Sequence, residues 1–184
     1  MRLLFLSPFD PFVSETGVAH YLRGLSKALC KLGCEVHIMT LDSKNSSRVI
    51  NGIQIHSSYC SVNPILRIPS IKGYILLMKS FRRINKLCKE YDIDVVHGQP
   101  SSWVYGLLYR KNDVPFVATL HATSFGELTS YFDIPYSFVN KNVILALLGE
   151  LVEASPALIK YRRADKVIAV SKAVAEEASK FYCI

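Results

Sequence analysis

Apolar positions along the chain change period several times, and each change predicts an element. Arg2–Ser7 is a short apolar run stopped by Pro8, the pattern of a buried strand. The segment Pro8-Phe-Asp-Pro-Phe-Val-Ser-Glu-Thr-Gly17 is a loop. From Val18 the period becomes helical. Val18, Tyr21, Leu22, Leu25, Leu29 and Leu32 share one face, Arg23, Lys27 and Lys31 lie opposite, and Gly33 supplies the stop. Glu35–Thr40 is a second strand, so the first forty residues read as a βαβ unit with a parallel sheet. Arg48–Ser57 reads as a hairpin closed on Asn51-Gly52. Helical stripes are expected over 71–91, 101–111 and much of 140–163, with a long loop over 122–138. Strands are expected at Ile93–His97, Pro115–Leu120 and Lys166–Val170, and Ser171 is expected to cap a final helix, Lys172–Phe181. This alternation predicts an α/β fold: a Rossmann-like, doubly wound, mostly parallel sheet with helices on both faces. Neither an internal repeat nor a linker interrupts it.

Composition narrows the classes. With 184 residues, half apolar and a fifth charged, the chain has the material for one domain with a real core, which excludes disordered and low-complexity readings. The longest apolar run, Val143–Leu148, is far short of the ~18 residues that span a bilayer. The N-terminal run is too short for a signal-peptide core, so a cytoplasmic location is expected. Five cysteines without a C-x-x-C pair fit free thiols in a reducing compartment. The net charge of +7 is concentrated: residues 62–91 alone contribute +6. No nucleic-acid reading motif accompanies this basic segment. Lys79, Arg82, Arg83 and Lys86 therefore make a candidate patch for an anionic membrane surface or a phosphorylated partner. The alternative is a packed helix with a solvated basic face.

In a doubly wound sheet, ligands bind beyond the carboxyl ends of the strands. That rule selects Thr16 and Gly17 after the first strand, His97-Gly98-Gln99 after the third parallel strand, His121 and Thr123 after the next, and Ser171 after the last. Gly17 opens a helix, whose N-terminal amides suit a phosphate; the plainer reading is a tight turn. The full G-x-G-x-x-G is missing, which argues against a dinucleotide-dependent oxidoreductase. His121 is a hydrogen-bonding group near neutral pH, with a ring bonded to a loop carbonyl as the alternative. No Ser/His/Asp triad and no His/Cys metal cluster can be read, and His37 and His56 are expected to be structural or surface residues.

Four segments taken together resemble the N-terminal, acceptor-side domain of the group 1, family 4 retaining glycosyltransferases, which have the GT-B fold. They are Met1–Thr40, Ile93–His97, Pro115–Thr123 and Ala164–Glu177 (A-D-K-V-I-A-V-S-K-A-V-A-E-E). The resemblance implies a single Rossmann-like domain over 1–184, with the C-terminal donor-binding domain absent from this chain. The full enzyme would transfer a hexosyl-type sugar from a nucleotide sugar to a sugar or lipid-linked acceptor, with retention and without a metal or other cofactor, and this fragment alone would be inactive. Gly17 would lie in the loop near the donor diphosphate and the acceptor. His121 would line the reaction centre in a positioning and electrostatic role. Two departures stand out: Thr16 replaces the first of two adjacent glycines, and Gly98-Gln99 follows His97 where a second histidine is common. The family's paired glutamates, eight apart, have no counterpart here. The basic helix would suit a peripheral position on the inner face of a membrane. The competing reading is a non-catalytic Rossmann-like scaffold subunit or one half of a split transferase.

Overall fold

A computed structural model describes residues 1–7, 9–42, 45–59, 81–99, 114–123, 126, 143–144 and 161–184. The helix expected over 101–111, most of the loop over 122–138, most of the helix over 140–163 and the first part of the helix over 71–91 lie outside the described residues. The others are strands β1 (Arg2–Leu6), β2 (Glu35–Asp42), β3 (Ser46–Ile50), β4 (Ile53–Tyr59), β5 (Val95–Gly98), β6 (Phe116–Leu120) and β7 (Lys166–Ala169). Among the described residues the helices are α1 (Gly17–Lys31), α2 (residues 81–90) and α3 (Lys172–Tyr182), and residues 161–163 are also helical.

The seven strands form one sheet in the order β3-β4-β2-β1-β5-β6-β7, parallel except for β3, which pairs antiparallel with β4. The chain winds outward from β1 in one direction through β2, then returns to β1's other side with β5. The β1/β5 border is thus the topological switch point, where the crossovers diverge and leave a crevice. The β3–β4 turn has positive φ at both Asn51 (53°) and Gly52 (79°), as a two-residue hairpin turn of the favoured twist requires.

β1 explains why its apolar run shows no alternation. Leu3 and Phe5 face the α1 side, packing with Leu22, Val36, Ile38, Ile53 and Ile55. Leu4 and Leu6 face the opposite side, with Ile84 and Leu87 of α2 and Ala178 and Tyr182 of α3. A strand covered on both faces buries every side chain, each worth ~1.5–3 kcal/mol of transfer free energy. On α1 the stripe is shifted from expectation. Ala19, Leu22 and Ser26 are the buried residues, so two small side chains set a close approach to the sheet. Leu32, expected on the apolar face, is 79% exposed, because the helix ends at Lys31 and Gly33 turns the chain away at φ 82°.

His37 and His56 are structural residues, buried rather than at the surface. They form a chain of hydrogen bonds: Glu35 Oε1 to His37 Nε2 (3.0 Å), His37 Nδ1 to His56 Nε2 (3.0 Å), and His56 Nδ1 to Ser47 Oγ (3.3 Å). The carboxylate only accepts, so every proton in the neutral chain is assigned: His37 donates from Nε2, His56 donates from Nε2, and Ser47 donates to His56. Burial lowers the pKa of both rings, that of His56 to about 4. The Tyr91 ring packs against both imidazoles, with centroids 4.5 and 5.2 Å away.

Candidate functional site

The loop after β1 is held from outside itself. Ser7 Oγ donates to the Phe9 carbonyl (2.7 Å), and Asp10 Oδ1 accepts from the Phe12 amide (2.8 Å). Arg48 of β3 pairs with the Asp10 carboxylate. Arg23 reaches back from α1, with Nε on the Pro11 carbonyl (2.9 Å) and Nη2 on the Ser14 carbonyl (3.0 Å). Its charge had placed it on the solvent side of α1. In the fold it is the strut of the loop, its side chain only 24% exposed.

Thr16 is the N-cap of α1. Its Oγ1 accepts from the Ala19 amide (3.3 Å), and its carbonyl takes the His20 amide (3.0 Å). The remaining first-turn amides are those of Gly17 and Val18. No acidic side chain sits in that turn, and Glu15 just ahead of it is paired with His20 and Arg23. The helix end therefore keeps its positive character. Gly17 has no positive φ, and apart from its chain neighbours and the backbone of its own helix turn, no atom of the described residues lies within 4 Å of where its Cβ would stand. Nothing in the described fold demands a glycine there.

His121 stands just beyond β6. Its Nε2 lies 3.0 Å from Gln99 Oε1, and its ring meets that of Tyr21 at 4.9 Å and 88°, edge to face. Tyr21 is one turn along α1 from Gly17, so the structure brings the glycine-loop helix and His121 to one corner. Gln99 is fully buried, and its amide donates to the Leu6 carbonyl (3.2 Å) at the switch point. Beneath lies His97, buried on the same face, 2.6 Å from Thr119 Oγ1 and tilted against Phe5 at 4.9 Å. Burial, and secondarily the nearby His121, depresses the His97 pKa to about 4, so the ring is neutral under ordinary conditions. Its contacts are those of a residue supporting the site floor.

Thr123 is also fully buried. Its hydroxyl donates to Glu177 Oε2 of α3 (2.5 Å) and accepts from the Gly126 amide (2.9 Å). The loop carrying His121 is in this way tied to α3. The same carboxylate lies close over Gly126, where a Cβ would meet it at 2.8 Å. Ser171 caps α3, accepting from the Val174 amide (3.2 Å), and the Val170 amide joins the Leu120 carbonyl (3.2 Å) beside it. Of the sequence-predicted residues, Thr16, Gly17 and His121 share the corner, while His97, Thr123 and Ser171 use their side chains to hold it. The helpers Tyr21, Arg23 and Glu177 carry no signal in the sequence that marks them as site residues, whereas Gln99 lies in the strand-end group that the sequence selects. The signal for Gln99 is its place directly after a strand.

The basic helix divides. Arg82 and Lys86 of α2 are exposed, and with Asn85, Lys89 and Glu90 they line an open hollow of about 680 Å³. Arg83, grouped with them by charge, is half-buried with its Nε inside, because its position on the helix flank turns it toward His56. Lys79 lies outside the described residues. Among the described residues, no helix is long and apolar enough to cross a membrane, and no group of three or more His, Cys, Asp or Glu side chains could hold a metal ion.

Solved structures share this architecture. Sucrose-phosphate synthase from Thermosynechococcus elongatus superposes with a TM-score of 0.69 at 17% identity, over 97% of this chain and 44% of that one. UGT2 of Phytolacca americana, complexed with UDP-2fluoro-glucose and pterostilbene, gives 0.61 at 10% identity, over 97% and 51%. A glycosyltransferase from Rickettsia africae gives 0.51 at 17% identity, over 100% and 40%. The chain thus spans about half or less of the length of each. No curated protein matches it in sequence. At these identities the likeness establishes the fold, a Rossmann-like sheet of the kind found in GT-B glycosyltransferases. Membership comes from the family profile: Glycosyltransferase Family 4 matches residues 16–184, nearly the whole chain, and the chain belongs to that family.

Proposed function

We propose that this chain forms the acceptor-side wall of a retaining glycosyltransferase that moves a hexosyl-type sugar from a nucleotide sugar to a sugar or lipid-linked acceptor. The observation that carries the reading is the corner made by Gly17, Tyr21 and His121 at the mouth of the β1/β5 crevice. A helix N-terminus with unneutralised positive character faces a hydrogen-bonding imidazole across one turn of helix. This is a pairing suited to a diphosphate leaving group and a transferred sugar. That UGT2 was solved with UDP-2fluoro-glucose and pterostilbene supports a nucleotide-sugar donor and a separate acceptor. In this reading a second domain supplies most donor contacts, and the paired glutamates expected there have no counterpart in this chain.

Mechanistically, the amides of Gly17 and Val18 stabilise charge building on the departing diphosphate, and His121 holds the sugar by a hydrogen bond that strengthens as the glycosidic bond to the nucleotide breaks. No metal or cofactor is assigned to this wall. The exposed cations of α2 would hold the enzyme near an anionic membrane, where a lipid-linked acceptor is found. The test is the full-length gene product incubated with a panel of nucleotide sugars and candidate acceptors. Transfer from one donor with retained anomeric configuration is expected. Inertness toward every nucleotide sugar, with neither transfer nor hydrolysis, would favour the scaffold alternative.

A further inference from the structure

We propose that Gln99 is a positioning residue that fixes the orientation and tautomer of the His121 imidazole. The proposal rests on the reading of His121 given above, and it starts from a contact that the activity does not by itself require. Gln99 is completely buried, and its backbone is pinned to Leu6 at the switch point, so its side chain starts from a fixed root. Its Oε1 lies 3.0 Å from His121 Nε2. An amide oxygen only accepts, so Nε2 must carry the proton, and Nδ1 is the acceptor nitrogen of the neutral ring. Tyr21 stands edge to face against the same imidazole, which limits its swing on the second side.

The choice of an amide matters chemically. A carboxylate at this place would supply a counter-charge and favour the imidazolium. A second imidazole could either donate or accept, and would fix the tautomer only with a further partner behind it, as Glu35 does for His37 and His56. An amide holds the ring without adding charge and, buried, does not exchange its partner for water cheaply. A transferred sugar then meets one defined ring nitrogen in one orientation, which is the preorganisation that a positioning role demands. Gln99 itself need not touch the sugar.

The experiment is long-range ¹H–¹⁵N spectroscopy of the ¹⁵N-labelled protein above the imidazole titration range, with the His121 signals identified by their loss in His121→Ala. In the parent, His121 should be the Nε2–H tautomer with an observable, exchange-protected Nε2 proton. Gln99→Glu keeps an acceptor and should retain that proton. Gln99→Leu should lose it to solvent exchange. In the full-length enzyme, Gln99→Leu should also lower kcat by about tenfold with KM little changed, the pattern of a lost transition-state contact. An Nδ1–H tautomer in the parent, or an unchanged protected proton in Gln99→Leu, would overturn the proposal. Should the leucine variant fail to fold, the parent and Gln99→Glu spectra still decide it. The two readings fail separately. Turnover that survives His121→Ala removes the site assignment even if the tautomer is as expected. Turnover that needs His121 in an Nδ1–H parent removes only the role of Gln99.

Discussion

Gly17→Ala separates what the fold needs from what a ligand needs. The residue opens α1 in an ordinary helical conformation, and beyond its chain neighbours and its own helix backbone no described atom comes within 4 Å of where a Cβ would project. Alanine should therefore be accepted without strain, and it restricts the unfolded chain. The expected stability gain is roughly 0.5–1 kcal/mol, which for a chain of this size raises Tm by about 2 °C. The effect on the ligand runs the other way. A methyl group beside the Gly17 and Val18 amides would hold a diphosphate off by about the width of a methyl. Losing one charge-assisted hydrogen bond at ~1.5–3 kcal/mol should weaken the donor's hold by roughly ten- to a hundredfold. Differential scanning calorimetry and steady-state kinetics on the full-length enzyme read the two effects. A raised Tm together with a donor KM at least tenfold higher is the expected signature. A variant that is more stable and kinetically unchanged would show that no phosphate approaches this turn. A lowered Tm would show that the glycine serves the fold.

The other expectations follow from the buried polar groups. His56 and His97 both have folded pKa values of about 4, against ~6.5 in the unfolded chain. The unfolded state therefore binds more protons between these values, and each ring's contribution is complete above pH ~6.5 and is lost as the pH falls toward 4, by roughly 3 kcal/mol apiece. Thermal melts across that range should show a steep acid limb that His97→Gln makes shallower; an unaltered limb would contradict the burial argument. Glu177→Ala should cut turnover more than Glu177→Gln, which keeps an acceptor for Thr123, and equal losses would mean that the α3 tether does not position His121. Replacing Arg82 and Lys86 with glutamine should weaken pelleting with anionic liposomes by on the order of 1 kcal/mol per charge, with Arg83→Gln having less effect because that side chain is turned inward. Equal effects from all three would contradict the orientation of α2.

The parallel sheet was legible because its signals are strong and local: a strand stopped by Pro8, a helix stopped by Gly33, and a hairpin marked by Asn51-Gly52. The strand ends located the corner, since the switch-point rule needs only strand order. What the sequence hid was side-chain direction. Arg23 looked like a solvent-facing cation and proved to be the strut of the loop it follows, because carbonyls at Pro11 and Ser14 fold back over α1. Thr123 looked like a ligand contact, yet its hydroxyl is committed to Glu177, a partner 54 residues away. Arg83 and Arg82 are adjacent in sequence but face differently, which only the packing of α2 decides. Long-range polar pairings leave no periodic trace in one sequence, so the residues that hold the site were harder to find than those at its mouth.

The most direct test of the central claim is His121→Ala in the full-length enzyme, with His37→Ala as control. Both remove a partly or fully buried imidazole with a hydrogen-bonded partner, but only His121 stands at the corner with Tyr21 and Gly17. The account predicts that His121→Ala lowers turnover per folded molecule by about a hundredfold, or ~3 kcal/mol, while its loss of stability is only the ~1–3 kcal/mol of a buried Gln99 oxygen that loses its His121 contact. It predicts that His37→Ala, which breaks the chain through His56 to Ser47, loses stability but keeps its turnover per folded molecule. Equal loss of stability in the two variants, with unchanged turnover in both, would contradict the assignment and leave only the fold and the family.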